Sequence, residues 1–123
     1  MIDDRTSVLI VDNDRAARSI MREILEEAGY AVDTAENGLE ALEKSEVKQF
    51  DVALVDLDLP DVEGSELLSK LPNNGELVKI IIARFSTVEN GVKAADCGAD
   101  DFLVKPIQPR ELLQAIRSRL VKV

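Results

Sequence analysis

The stretch DVALVDLDLPDVEG (51–64) decides the fold. Its first half is a short, unbroken apolar run that ends on an acid, Asp56. Unbroken runs of about four to five residues suit strands buried on both faces, whereas a half-exposed strand alternates. Its second half spaces acids by two and then supplies Pro60 and Gly64, residues that favour turns. A buried strand therefore delivers a carboxylate to its carboxyl end, and the chain then turns away.

The same pattern recurs on either side. SVLIV (7–11) runs into Asp12, Asn13 and Asp14, KIIIA (79–83) into Arg84, and DFLV (101–104) into Lys105 and Pro106. AVDTA (31–35) alternates, so it reads as a half-exposed edge strand. Between the runs lie amphipathic segments. In 14–28 the apolar residues Ala17, Ile20, Met21, Ile24, Leu25 and Ala28 form one helical stripe, and Gly29 follows as a stop. Residues 38–46, 65–71, 86–96 and 109–120 read as further helices. Asn37, Ser86 and Gln108 are their start signals, and Pro109 suits a first helical position.

Strict alternation of strand and helix implies an α/β fold: a doubly wound, five-stranded parallel sheet with helices on both faces. In the flavodoxin-like order 2-1-3-4-5, ligands bind at the carboxyl ends of the strands, near the point where strand order reverses. With 123 residues, the natural reading is one domain spanning 1–123. Hydrophobic content is 46% but aromatics only 3%, so the core is aliphatic. The lone Cys97 cannot form an internal disulfide and fits a reducing cytoplasm. No apolar run approaches the ~20 residues of a membrane span, and MIDDRTS is too charged for a signal peptide. A net charge of −9 argues against direct nucleic-acid binding and allows basic partners and divalent cations.

In the 2-1-3-4-5 order, Asp12, Asn13 and Asp56 crowd together with Lys105 across from them. Crowded carboxylates raise one another's pKa unless a cation joins them. Mg²⁺ takes about six oxygen ligands and keeps several as water, so a few oxygens at one sheet end match it. A lysine beside them adds a point charge suited to a phosphoryl oxygen. A carboxylate so held can attack a phosphoryl group and form an acyl phosphate. Asp14 and Asp61 read instead as turn or helix-cap residues.

Three motifs in order, VLIVDND, DVALVDLDLPDVEG and GADDFLVKP, resemble the receiver domain of two-component response regulators, the CheY-like family. The resemblance covers nearly the whole chain. It implies that Asp56 accepts a phosphoryl group from a sensor histidine kinase or phosphotransfer protein. It implies that Asp12, Asn13, Asp56 and the backbone carbonyl of Asp58 hold Mg²⁺ (or Mn²⁺), that Lys105 contacts the phosphoryl oxygen, and that Lys105–Pro106 is a cis bond. Phe102 stands where the family has a rotating aromatic, and a core phenylalanine is the plain alternative. The implied role is signalling rather than enzymatic turnover, through an output domain or effector outside this sequence. Receivers of DNA-binding regulators dimerise through the region matching 86–120, which makes a homodimer there an expectation by analogy.

The chain departs from the family pattern at three positions. Asn13 replaces a carboxylate; its amide oxygen can still ligate, but it brings no charge. Ala83 stands where the family has Thr or Ser, whose hydroxyl couples the phosphoryl group to the aromatic. A hydrogen bond to a charged group contributes roughly 1.5–3 kcal/mol, so its loss could cut the active fraction by about one to two decades. Arg84 follows, where the family has a small residue. It could cover Asp56, lend its guanidinium to a phosphoryl oxygen, pair with Asp56 and Asp12 in place of the metal, or simply reach solvent. Asp58 is either an exposed loop acid or a group that tunes metal affinity and hydrolysis.

Two rival readings stay open. One is a phosphorylation-independent receiver acting as a protein-interaction module, favoured by Asn13, Ala83 and Arg84. The other is an enzyme: VDLDLP superficially resembles the D-x-D opening of haloacid-dehalogenase-type phosphatases. That motif normally follows the first strand, and here a complete βαβα unit precedes Asp56.

Overall fold

The structure, a computed structural model, describes residues 5–72 and 75–120. Residues 1–4 of MIDDRTS and the tail 121–123 lie outside the described residues. The chain alternates β1 (Ser7–Val11), α1 (Arg15–Glu27), β2 (Ala31–Ala35), α2 (Gly38–Val47), β3 (Val52–Asp56), α3 (Gly64–Lys70), β4 (Val78–Ala83), α4 (Val88–Asp96), β5 (Asp101–Val104) and α5 (Pro109–Leu120). All strand pairs are parallel and the order is β2-β1-β3-β4-β5, as the sequence implied.

Strand alternation sorts the core into two layers. Leu9, Val11, Ala53, Val55 and Ile81 face one way and pack with Ala41, Leu67, Leu68 and Ala94 from α2, α3 and α4. Val8, Ile10, Val52, Leu54, Ile80 and Ile82 face the other way and pack with Met21, Leu25, Leu112 and Ile116 from α1 and α5. Fully burying one such side chain stabilises by roughly 1.5–3 kcal/mol, so the apolar runs that announce the strands also anchor them.

Three details correct the sequence reading. β3 starts at Val52 and ends on Asp56, so the acid is the last residue of the strand and stays in register opposite Ile82. β5 is the second edge of the sheet, and Asp101, Phe102 and Val104 are half-buried rather than enclosed on both faces. Ser86 does not start α4: Thr87 caps it, its hydroxyl accepting from Asn90 N at 3.0 Å. Position decides between two adjacent hydroxyl residues, because only Thr87 lies three residues before a free first-turn amide. Asn37 caps α2 through Glu40 N at 2.8 Å, and Gly29 follows α1 with φ +96°, both as expected. Among the described residues no helix is long and apolar enough to cross a membrane.

Gly64 fixes how the chain leaves β3. A Cβ there would stand 2.2 Å from the backbone oxygen of Asp56, so only glycine lets the two backbones touch. Gly91, inside α4, has nothing within 4 Å of its Cβ position. Urea unfolding is therefore expected to show Gly64→Ala destabilised by about 1–3 kcal/mol and Gly91→Ala stabilised by about 0.5–1 kcal/mol. Equal effects would show that the contact beneath Asp56 is not tight.

Candidate functional site

The carboxyl ends of β1, β3 and β5 bring Asp12, Asp56 and Lys105 together. Asp12 and Asp56 are 1% and 7% exposed, unusual for carboxylates unless they are paired. The Lys105 ammonium supplies the pairing. Its Nζ lies 2.8 Å from Asp12 Oδ2 and 2.9 Å from Asp56 Oδ2. Backbone amides hold the other oxygens: Asp14 N donates to Asp12 Oδ1 and Asp58 N to Asp56 Oδ1, each at 2.9 Å. The Lys105–Pro106 bond is cis.

Electrostatics follow from this geometry. Burial pushes the Asp12 carboxyl above its ordinary range and the charge of Asp56 adds to that, while Lys105 and the Asp14 amide oppose it. Burial alone would lower the Lys105 ammonium, but contact with Asp12 and Asp56 outweighs it and holds the lysine above its ordinary value. The cation is thus fixed in its charged form.

Around this centre stand the other expected residues. The Asn13 side chain is exposed, and its backbone oxygen accepts from Arg18 Nη1 at 3.0 Å. Asp58 is an exposed loop acid whose backbone bridges antiparallel to Glu63. Ala83 is buried and packs on the α2–α3–α4 side, where half-buried Phe102 also packs. Arg84 is exposed and lines a 420 Å³ cavity with Lys105, Pro106, Asp14 and Ile20. Asp14 caps α1, accepting from Ala16 N at 3.0 Å. Asp61 also caps, but not its own helix: it accepts from Gly38 N at 2.9 Å and Leu39 N at 3.0 Å, tying the loop after β3 to α2.

Arg18 was not legible from the sequence. Only 12% of its side chain is exposed. Its Nη1 donates to Asp12 O at 2.7 Å, and its Nη2 pairs with Glu36 at 3.2 Å, so it clamps the acid loop against α1. Nothing in local spacing distinguishes it from the neighbouring Arg15 and Arg22.

The donor set tests a metal. Among the described residues no group of three or more acidic, His or Cys side chains gathers within metal-binding range, and position 13 carries an amide rather than a carboxylate. Two carboxylates remain, and Asp12 Oδ2, buried beside Lys105, lacks a donor in hydrogen-bond alignment. An all-oxygen set with an under-satisfied buried carboxylate fits a mostly hydrated Mg²⁺.

Comparison with known proteins identifies the family. The family profile described as response regulator receiver domain matches residues 8–117. The chain belongs to that family. It is 32% identical over 117 residues to the transcriptional regulatory protein ResD of Bacillus subtilis strain 168, covering 95% of this chain and 49% of ResD. The chain thus spans about half the length of the curated relatives it matches. A CheY-like receiver domain protein from Methanospirillum hungatei JF-1 superposes with a TM-score of 0.89 at 39% identity, covering 95% of this chain and 94% of that one. A BeF₃-activated DrrB receiver domain superposes with a TM-score of 0.86 at 27% identity, covering 94% and 97%.

The Asp61 cap gives this receiver domain an acid-sensitive joint. The amides of Gly38 and Leu39 hold the Asp61 carboxyl below its ordinary value of 3.8. Its stabilisation is present above the unfolded value and is lost as pH falls through the lower folded value. Asp61→Ala is expected to cost about 1 kcal/mol at pH 7. The gap to wild type should narrow on acidification below the ordinary carboxyl range, as read by urea melts at stepped pH. A gap independent of pH would remove the carboxylate from the cap.

Proposed function

We propose that this receiver domain accepts a phosphoryl group on Asp56 from a phosphohistidine of a sensor histidine kinase or phosphotransfer protein. The observation that carries this is the Lys105 ammonium within 2.9 Å of the buried Asp56 carboxylate, with Asp12 on its other side. In the transfer, the donor P–N bond breaks and its electron pair returns to the imidazole. A P–O bond forms to one oxygen of Asp56. The Asp58 amide orients the carboxylate, and Lys105 follows the charge onto a phosphoryl oxygen. Asp12, Asp56, the Asn13 amide oxygen and the Asp58 carbonyl are the groups that would hold Mg²⁺ or Mn²⁺. When bound, the ion supplies charge neutralisation for the incoming phosphoryl oxygens. The natural output is a domain or effector outside the described residues.

Signal output is where this chain departs from its family. Ala83 offers a buried methyl where a hydroxyl would respond to the phosphoryl group, so no hydrogen bond at that position couples Asp56 to Phe102. This favours a second reading, in which partners dock on the domain irrespective of phosphorylation. Phe85, Val88 and Val92 are exposed at the start and along one side of α4 and suit such contacts, including a homodimer through 86–120.

Two measurements test the chemistry. After incubation with Mg²⁺ and a small acyl-phosphate donor, intact-mass spectrometry is expected to show a gain of about 80 Da that Asp56→Asn abolishes. A gain that persists in Asp56→Asn would place the acceptor elsewhere. Isothermal titration of Mg²⁺ is expected to show Asn13→Asp binding severalfold tighter than wild type, because a carboxylate adds charge that an amide lacks. Equal affinities would remove position 13 from the metal site.

A further inference from the structure

The four residues at the carboxyl ends of β1, β3, β4 and β5 share one face of the sheet. Val8 and Ile10 of β1, Val52 and Leu54 of β3, Ile80 and Ile82 of β4, and Leu103 of β5 all pack on the α1–α5 side. Strand alternation carries that side forward to Asp12, Asp56, Arg84 and Lys105. Ala83 pairs with Val104, so Arg84 follows β4 beside the point where Lys105 follows β5. Asp56 pairs with Ile82, two residues before Arg84, a rise of about 7 Å along the strand. Lys105 likewise starts beyond the level of Asp56, and it reaches back to 2.9 Å. An arginine side chain is at least as long.

The surroundings leave this arginine uncommitted. Arg84 lines the same cavity as Lys105, with Pro106 and Ile107 on one wall and Ala17, Ile20 and Met21 of α1 on the other. Among the described residues it makes no hydrogen bond or ion pair, although the chain carries 24 acidic residues against 15 basic ones. The only acid on that cavity wall, Asp14, is already the cap of α1. Asp12 and Asp56 meanwhile share a single ammonium. A phosphoryl group on Asp56 replaces one carboxylate charge with close to two phosphoryl charges, a net gain of about one negative charge in that balance. The hydroxyl that would have donated from position 83 is absent, and Asn13 has weakened the metal side.

We infer that Arg84 is a second phosphoryl-contacting cation, whose guanidinium closes over the phosphoryl oxygens of modified Asp56 and takes over the contact that Ala83 cannot make. A planar, permanently charged fork suits two oxygens of one phosphoryl group, whereas Lys105 offers a point charge. The inference rests on Asp56 being the acceptor and adds a residue to it. It also moves the responding group from the α3–α4 side of the sheet, where Ala83 packs, to the α1–α5 side. Closure of Arg84 over the site would draw charge across the cavity between α1 and the loop that follows β5.

Beryllofluoride, formed from BeCl₂ and NaF with Mg²⁺, is the probe, because it mimics a phosphoryl group on a carboxylate. Its affinity would be measured by isothermal titration for wild type, Arg84→Ala, Arg84→Gln and Arg84→Lys. Position 84 is exposed, so these variants are expected to fold, and their thermal melts check it. Arg84→Ala and Arg84→Gln are expected to bind at least tenfold more weakly, with Arg84→Lys between them and wild type. Binding of Arg84→Gln at wild-type strength would show that bulk, not charge, acts at position 84 and would overturn the inference. Unchanged binding in Arg84→Ala would overturn it too, while leaving Asp56 as acceptor intact. Failure of wild type itself to bind beryllofluoride or gain phosphoryl mass would overturn the acceptor reading and this inference together.

Discussion

One lysine ammonium between two buried carboxylates organises this molecule. Asp12 and Asp56 sit at the ends of adjacent central strands, where burial makes their charges costly. Lys105 lies at hydrogen-bond distance from both, and backbone amides take the other oxygen of each. One ammonium shared by two carboxylates leaves the centre short of positive charge.

Contacts from the scaffold position this centre. Gly64 lets the chain pack against the carbonyl of Asp56, Asp61 ties that loop to α2, and Arg18 holds the carbonyls of Asp12 and Asn13 against α1. The Asp61 and Arg18 contacts satisfy backbone groups that the start of α2 and the loop after β1 leave unpaired. Asn13, Asp58 and Arg84 are exposed at the same end of the sheet. Those are the positions at which chemistry can be tuned without disturbing the core.

Position 83 is where this chain departs from the family pattern. A buried methyl there offers no hydrogen bond, and Phe102 packs on the same side of the sheet. Arg84 lies on the opposite face, near α1 and the loop that follows β5. A response routed through it would involve a different edge of the domain. An exposed apolar run on α4 remains available to partners in either case.

Much of this was legible in the residues alone. Short apolar runs that end in charged residues named the strands and the carboxyl-end site, because runs of four or five residues are too short for helices and alternate with amphipathic segments that are long enough. The same runs placed Asp12, Asp56 and Lys105, since a residue that terminates a buried strand has few places to go. Local pattern could not decide what depends on approach between distant segments. That β5 is half-exposed follows from its edge position. That Thr87 rather than Ser86 caps α4 follows from where the helix can begin. That Arg18 clamps the acid loop, and that Asp61 caps a helix 23 residues upstream, follows from packing across the sheet. Most telling are Ala83 and Arg84, adjacent in sequence but assigned by strand alternation to opposite faces. The sequence determined which groups this protein has; the sheet's register decided which of them share one side of its carboxyl end.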